Sequence, residues 1–414
     1  MLHPTSSTLL VEINVSQKMR LALKILMISP YMGSIYGGTS KVVKDLAQEL
    51  GNLGITVDII TTNANGSDRL DVPLNIWMQE NYYRVQYFPC WHRYDFIVSQ
   101  SLIAWLFNHV VDYDLVHTNT VFSPLVSLTH WICNLRKVPY LITPHGMLEP
   151  WALSYKAWKK RFYYALFEKP VLQQTSAIHV LANSEADNLQ SLGFQQAVVV
   201  PNGIHRQEFE TLPDPEIFYQ QFPTTVNKTI ILFLGRIDPK KGLDLLAPAF
   251  AKVHQQFPHT HLVIAGPDSI GFLPIAQSYF EQAGVLESVT FADMLTGCLK
   301  YAALAAASLY VSPSYSEGFS MSVLEGLASG VPCVITTGCN FPEAARADAA
   351  CVVDIDVDSI ANALLKCLGD SRQAREMGDR ARQFIFQNYT WDVAARKLLQ
   401  VYTAILNQQP LPEF

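Results

Sequence analysis

The chain has 414 residues, with 30 Lys+Arg against 36 Asp+Glu. At about 150 residues per domain that length predicts two or three domains with separate cores, and the net charge of −6 lacks the basic excess of an obligate nucleic-acid binder, so no nucleic-acid partner is expected. Hydrophobic residues reach 49% while charged residues are 16%, which excludes disorder over most of the length and leaves room for an adhesive surface.

In chain order, residues 1–18 match no element and read as an N-terminal extension, with Met19 a candidate alternative start. The run LALKILMISPYMG contains Lys24 and Pro30; it is too short to span a membrane, which takes about 20 apolar residues. No small-residue cleavage site follows it, so it reads as a buried strand over 24–29 and not as a signal peptide. An amphipathic stretch (KVVKDLAQELGNLG) and further short apolar runs (TVDIIT, YDLVHTN, VPYLITPHG, TSAIHVL) follow. Strand, helix, strand repetition with continuous apolar strands predicts a parallel sheet covered on both faces.

Residues 206–227 are polar and proline-rich and read as a linker between domains. The pattern then restarts with KTIILFLG, LDLLAPAFAKVHQQF, HLVIAG, LYVSP, MSVLEGLASG and PCVITT. The fold class is therefore α/β, two doubly wound domains in tandem over residues 19–205 and 228–388, with residues 389–414 left as a C-terminal helix. Ligands of such sheets sit beyond the carboxyl ends of the strands.

Seven cysteines scattered from Cys90 to Cys367, without a C-x-x-C pair, indicate neither a disulfide framework nor a zinc knuckle and fit a reducing cytoplasm. Gly33, Gly37 and Gly38 after the first strand allow close backbone approach to an anion at a helix start. They form neither a Walker A loop nor a G-x-G-x-x-G turn, and a plain tight turn explains them equally well. In the second half, Gly235-Arg236 and Lys240-Lys241-Gly242 fall in one loop, a forked and a compact cation suited to a diphosphate. Glu317 and Glu325 stand eight residues apart, roughly 12 Å of helical rise, about the reach from a sugar across a diphosphate to a ribose. A helix starting near Ser320 would offer the amides of Gly318, Phe319, Ser320 and Met321 to the phosphates between them. Taken singly, these charges read as solvated loop and helix residues.

Together the motifs resemble those of GT-B glycosyltransferases, specifically retaining family 4 (glycosyl transferases group 1), over about residues 20–405. They are Gly37-Gly38, TPHG (Thr143 to Gly146), VPNGI (Val200 to Ile204, with Asn202), GRIDPKKGLD (Gly235 to Asp244) and E-x7-E (Glu317 to Glu325) followed by ASGVPCV. The resemblance implies two Rossmann-like domains facing across a cleft. It also implies transfer of a hexose from a nucleotide-diphosphate sugar to a saccharide or lipid-linked acceptor with retention, in bacterial polysaccharide or glycolipid synthesis.

Residue by residue, Arg236 and Lys241 would grip the diphosphate, Glu325 the ribose, and Glu317 with its neighbouring amides the sugar and distal phosphate. His145 would be the catalytic position of the first half, and the C-terminal helix would return to that half. His117, also at a strand end, is a weaker acceptor-side candidate. Ser320 stands where the family commonly has glycine, and the stretch Cys339 to Glu343 departs from the usual G-x-P-E. No carboxylate pair suits a double displacement near His145, and front-face substitution is expected. Asp354, Asp356 and Asp358 form D-x-D-x-D, but the run leads into a helix, so Asp358 reads as its N-cap and no metal or other cofactor is expected. Residues 151–169 (WALSYKAWKKRFYYALFEK) mix aromatics with Lys156, Lys159 and Lys160 and could lie on an anionic membrane; an ordinary surface helix explains them too. The expected location is the cytoplasm, at the inner face of the membrane if that helix binds lipid. Rival functions are a same-fold nucleotide-sugar epimerase or phosphorylase, and a catalytically silent nucleotide-sugar-binding protein.

Overall fold

A computed structural model describes residues 23–36, 38–93, 96–148 and 163–414. They divide into two compact units, one of residues up to Asn202 together with Trp391–Phe414, the other of Gly203–Thr390.

The first unit is built on an eight-stranded sheet. Its strands are β1 (Lys24–Ile28), β2 (Thr56–Thr62), β3 (Trp77–Gln79), β4 (Arg84–Phe88), β5 (Leu115–Asn119), β6 (Tyr140–Thr143), β7 (Ala177–Val180) and β8 (Ala197–Val199), in the order β8-β7-β6-β5-β1-β2-β4-β3. All neighbours are parallel except β3, which pairs antiparallel with β4. Ile25 to Ile28 are fully buried, as a strand covered on both faces requires. Helices α1 (Gly38–Asn52), α2 (Gln100–His109), α3 (Pro124–Arg136), α4 (Lys169–Gln174) and α5 (Asn183–Ser191) complete the covering. The strand order reverses between β1 and β5, so ligand chemistry in this unit belongs beyond Ile28 and Asn119.

The second unit has a six-stranded, wholly parallel sheet. Its elements are β9 (Thr229–Leu234), α6 (Leu243–Gln256), β10 (Thr260–Ala265), α7 (Leu273–Gln282), β11 (Val289–Phe291), α8 (Gly297–Ala306), β12 (Leu309–Ser312), α9 (Met321–Ala328), β13 (Cys333–Thr336), α10 (Pro342–Arg346), β14 (Cys351–Val353), α11 (Val357–Gly369) and α12 (Ser371–Asn388). The sheet order is β11-β10-β9-β12-β13-β14, the doubly wound order of a dinucleotide-binding fold, with its switch between β9 and β12. Alternate residues of β9 feed opposite cores: Ile230, Leu232 and Leu234 one face, Ile231 and Phe233 the other. Helix α13 (Trp391–Leu406) belongs to the first unit and packs on α1.

Two sequence expectations change. Residues 206–227 are not a bare linker, because Phe209 and Phe218 sit on helical turns (Gln207–Glu210, Glu216–Gln221) and are fully buried in the second unit's core. Two aromatic anchors outweigh the prolines around them, and Arg382 clamps the first turn by donating to the carbonyls of Phe209 and Glu210 at 2.6 Å. The N-cap of α11 is Asp356, whose carboxylate accepts from the Ser359 amide at 2.8 Å and its hydroxyl at 2.6 Å. Asp358 lies inside the first turn and pairs with Lys252.

Within 151–169, residues 151–162 fall outside the described residues. The stretch ends in a π-helical turn, Tyr164–Glu168. The Glu168 carboxylate is buried, accepting from the Phe122 amide at 2.8 Å and the Ser127 hydroxyl at 3.2 Å. Burial pushes its carboxyl up to about 7.

Candidate active site

The loops after β9 and β12 are laced together at the switch point of the second unit. Asp238 accepts from the Lys240 amide at 2.9 Å and starts the tight turn Pro239–Lys241. Gly242 ends it at φ 70°, where a Cβ would lie 2.1 Å from the Pro313 carbonyl oxygen; only glycine fits both demands. The Tyr315 amide donates to Lys240 O at 2.9 Å, and its hydroxyl to Asp244 at 2.7 Å.

Across this lacing Lys241 Nζ meets Glu317 Oε1 at 2.5 Å, with only 12% and 11% of the two side chains exposed. Ser314 Oγ donates to the same Glu317 oxygen at 2.7 Å. The Glu317 backbone is fixed as well: its amide donates to Gly338 O at 2.7 Å, and Asn340 Nδ2 donates to its carbonyl at 2.5 Å. A Cβ at Gly338 would fall 2.2 Å from Ser314 O, so the two loops approach backbone to backbone.

Arg236 is exposed on this loop. Its charge and that of Lys241 depress the Lys240 ammonium, after burial, which is the larger cause. Three cations in so short a stretch set a positive field beside one buried carboxylate.

Helix α9 begins at Met321, with Ser320 as its cap residue in an extended conformation and no capping side-chain hydrogen bond. The Ser320 hydroxyl lies 3.2 Å from that of Ser322. Phe319 and Met321 pack their side chains against the core, so the segment from Gly318 to Met321 offers backbone amides at the positive end of the helix. One face farther along α9, Glu325 Oε1 pairs with Lys300 Nζ of α8 at 2.7 Å. Sequence reasoning missed Lys300, which sits in an apolar helix with no motif around it. The pair leaves the second Glu325 oxygen with acceptor capacity for a hydroxyl.

In the first unit, Gly37 lies outside the described residues and Gly38 is the first residue of α1. The Ser40 hydroxyl donates to Gly33 O at 3.0 Å, closing the turn before it. Asn202 is buried three residues beyond β8.

His145 follows β6 in the left-handed region, φ 52°, a conformation that costs about 1–3 kcal/mol away from glycine and persists where surrounding structure enforces it. Its Nε2 lies 3.0 Å from Asn119 Oδ1. Asn119 Nδ2 donates to Ile28 O at 3.3 Å, so Oδ1 is the acceptor and His145 carries its proton on Nε2. Desolvation, then the nearby His179, push the imidazole down to about 3. His145 is therefore neutral at physiological pH, with Nδ1 as its basic nitrogen.

His117 does not stand at an open strand end. It is fully buried inside β5, with Nδ1 2.7 Å from the Tyr402 hydroxyl and Nε2 2.7 Å from Thr143 Oγ1. Both ring nitrogens are satisfied within the unit, so His117 is a structural residue and not an acceptor contact. Among the described residues no group of three or more His, Cys, Asp or Glu side chains could hold a metal ion.

Two Rossmann-like units built on largely parallel sheets, one with the Lys241–Glu317 ion pair at its switch point, have the fold of GT-B glycosyltransferases. Residues 36–208 match the Glycosyltransferase Family 4 model and residues 216–384 match Glycosyl transferases group 1; the chain belongs to this family of glycosyltransferases. It is 24% identical over 402 residues to a phosphatidyl-myo-inositol mannosyltransferase of Mycobacterium tuberculosis, covering 92% of this chain and 97% of that one. Among solved structures, sucrose-phosphate synthase from Thermosynechococcus elongatus is similar at TM-score 0.73 and 22% identity, over 94% of this chain and 100% of the other. The Anabaena protein HepE in complex with UDP and glucose matches at TM-score 0.73 and 17% identity, over 92% and 100%.

Proposed function

We propose that this enzyme transfers a hexose from a nucleoside-diphosphate sugar to a saccharide or lipid-linked acceptor, with retention of anomeric configuration. The observation that carries the reading is the ion pair of Lys241 with Glu317 at the switch point of the second unit, held by Ser314 and beside Arg236. In this reading Arg236, Lys241 and the amides from Gly318 to Met321 seat the diphosphate, Glu325 takes the ribose, and Glu317 takes the sugar. Lys241 then has two partners, the carboxylate that orients it and the phosphate whose charge it offsets. The neutral His145 hydrogen-bonds the sugar.

The anomeric carbon–oxygen bond to phosphate breaks, and the acceptor oxygen bonds to the same face. Its proton passes to the departing phosphate oxygen. Fixed cations and amides aimed at that phosphate lower the barrier because its charge grows in the transition state. In this reading the D-x-D-x-D run is not a metal site, since Asp356 caps α11 and Asp358 pairs with Lys252.

A lipid-linked acceptor is supported by an exposed apolar face on α2 and α3, where Phe107, Leu128, Trp131 and Leu135 stand out and Arg136 stacks on the Phe107 ring at 4.3 Å. The named lipid substrate of the mycobacterial relative points the same way. No helix among the described residues is long and apolar enough to cross a membrane. A lipid-linked acceptor and a nucleotide-sugar donor together place the proposed reaction in the cytoplasm, at the membrane's inner face.

The test is nucleotide release from UDP-, GDP- and ADP-sugars with and without acceptor. Acceptor-dependent release of nucleoside diphosphate is expected. Interconversion of sugars without acceptor would mark an epimerase, a requirement for phosphate a phosphorylase, and tight binding without turnover a silent site. Anomeric analysis of the product tests retention, and sedimentation with anionic vesicles, lost in Trp131→Glu, tests the lipid face.

A further inference from the structure

Two thiols far from the proposed donor site lie side by side in the second unit. Cys351 opens edge strand β14 and Cys367 lies in α11, with their sulfurs 3.9 Å apart. Met377 Sδ of α12 stands 3.8 Å from Cys351 Sγ. Cys367 is buried and Cys351 is partly exposed. Both line a cavity of about 170 Å³ whose walls include Lys366, Gln373 and Arg380. A small oxidant therefore has a way in, past cationic side chains, to the accessible member of the pair.

The other described thiols lack this combination. Cys90, Cys133, Cys333 and Cys339 are buried, and burial pushes their thiols up, while Cys298 is exposed. Cys351 differs in the direction of its titration. A hydrogen bond from the Cys367 thiol, aided by the Lys366 charge, brings it down to about 7 against the opposing effect of burial. The thiolate is the reactive form of cysteine and the oxidant has to reach it; Cys351 is the partly exposed member of the pair, so it is the attacking sulfur and the buried Cys367 the one that resolves it.

We propose that Cys351 and Cys367 are a reversible dithiol–disulfide modification site, oxidised by a peroxide entering through this cavity. The Cys351 thiolate attacks one peroxide oxygen, the O–O bond breaks, and the departing hydroxide is protonated to water. Cys351 is then a sulfenic acid. The Cys367 sulfur attacks the Cys351 sulfur, its proton leaves with the sulfenic hydroxyl as a second water, and the S–S bond forms. Two thiols are oxidised by two electrons and one peroxide is reduced to two waters. Bonding requires the sulfurs to close from 3.9 Å to about 2.05 Å. The new bond fastens edge strand β14 to α11 and restrains the unfolded chain.

The experiment uses the full chain carrying Cys298→Ser, which removes the exposed thiol. Protein is treated with hydrogen peroxide, free thiols are capped, and intact mass and peptide maps are read. The expected result is a loss of about 2 Da, a linked peptide pair containing Cys351 and Cys367, and full reversal by dithiothreitol. Either Cys351→Ser or Cys367→Ser abolishes the linkage, and with Cys367→Ser the sulfenic acid at Cys351 accumulates and is trapped by dimedone. A gain of about 16 or 32 Da at Cys351 with Cys367 intact and no linked pair would overturn the proposal. A bonded form that melts below the reduced one would overturn it as a state of the native fold.

Discussion

Replacing Lys241 by alanine separates the two roles its position gives it. Lys241 is nearly enclosed and meets Glu317 at 2.5 Å, so the substitution strands a carboxylate that retains the Ser314 hydroxyl as a donor. Removing one member of a fully buried pair costs about 3–5 kcal/mol. The residual exposure and the remaining hydrogen bond bring the expected loss to about 2 kcal/mol, a melting shift of about 4–8 °C for a unit of this size. Loss of the phosphate contact is a separate matter and is expected to lower turnover at least about 100-fold, or about 2.7 kcal/mol in the barrier.

The double variant Lys241→Ala with Glu317→Gln distinguishes the two. Neutralising the stranded carboxylate restores most of the melting temperature but leaves turnover down, because the Lys241 cation no longer faces the diphosphate and Arg236 alone does not replace it. The assay is acceptor-dependent nucleotide release beside a thermal melt. Turnover of the single variant within about tenfold of wild type, or its recovery in the double variant, refutes the phosphate role and leaves Lys241 as a structural counter-ion.

His145→Ala is expected to lower turnover about 100-fold while leaving nucleoside-diphosphate binding, read by calorimetry, unchanged; weakened nucleotide binding would move His145 out of the sugar's vicinity. Excess chelator should leave initial rates unaltered, and abolished activity restored by a divalent cation would reverse the metal-free assignment. Stability should fall on acidification below about pH 6.5, the ordinary imidazole value. Burial holds His130 and His145 down to about 3, His179 to about 4 and His117 well below its usual range, so the unfolded chain binds more protons across that window and stability rises with pH there. Glu168, raised to about 7, acts in the opposite sense between about 4.5 and 7, but it is one group against four. A urea midpoint that stays flat from pH 7 to pH 5 would contradict this balance.

The alternation of apolar runs and amphipathic stretches was enough to predict two parallel-sheet units, because buried parallel strands read as continuous apolar segments such as KILMI and TIILFL. What it could not supply was the assignment of residues 206–227. Composition averages over a window, whereas burial there is decided by two side chains, Phe209 and Phe218. The site shows the same division. Gly242 and the E-x7-E run are local signals, but only the first is fixed by a turn alone: α9 begins at Met321, so Glu317 lies in the loop before it and the expected helical rise covers only the second half of the spacing to Glu325. The Lys300 partner of Glu325 arises from the packing of α8 beside α9, which leaves no spacing rule in the sequence.

The two candidate histidines of the first unit, His117 and His145, make the limit concrete. Both follow apolar strand residues, yet His117 lies within β5 and pairs in register with Leu141, whereas His145 lies two residues beyond the end of β6. That offset turns one ring into the core and leaves the other at the carboxyl edge. Once inside, His117 joins a chain of hydrogen bonds whose direction is forced. The Val200 carbonyl can only accept, so His179 donates to it from Nε2 at 2.7 Å and takes the Thr143 hydroxyl proton on Nδ1 at 2.8 Å. Thr143 must then accept from His117 Nε2, and His117 Nδ1 from the Tyr402 hydroxyl. Each donor meets one acceptor with both rings neutral. Protonating either ring would turn the facing hydroxyl, of Tyr402 or Thr143, from donor to acceptor and take its own proton off this chain, in accord with the low titration of both. Because Tyr402 belongs to α13, this chain ties the C-terminal helix to three strands of the sheet, and Tyr402→Phe would leave a buried ring nitrogen unpaired.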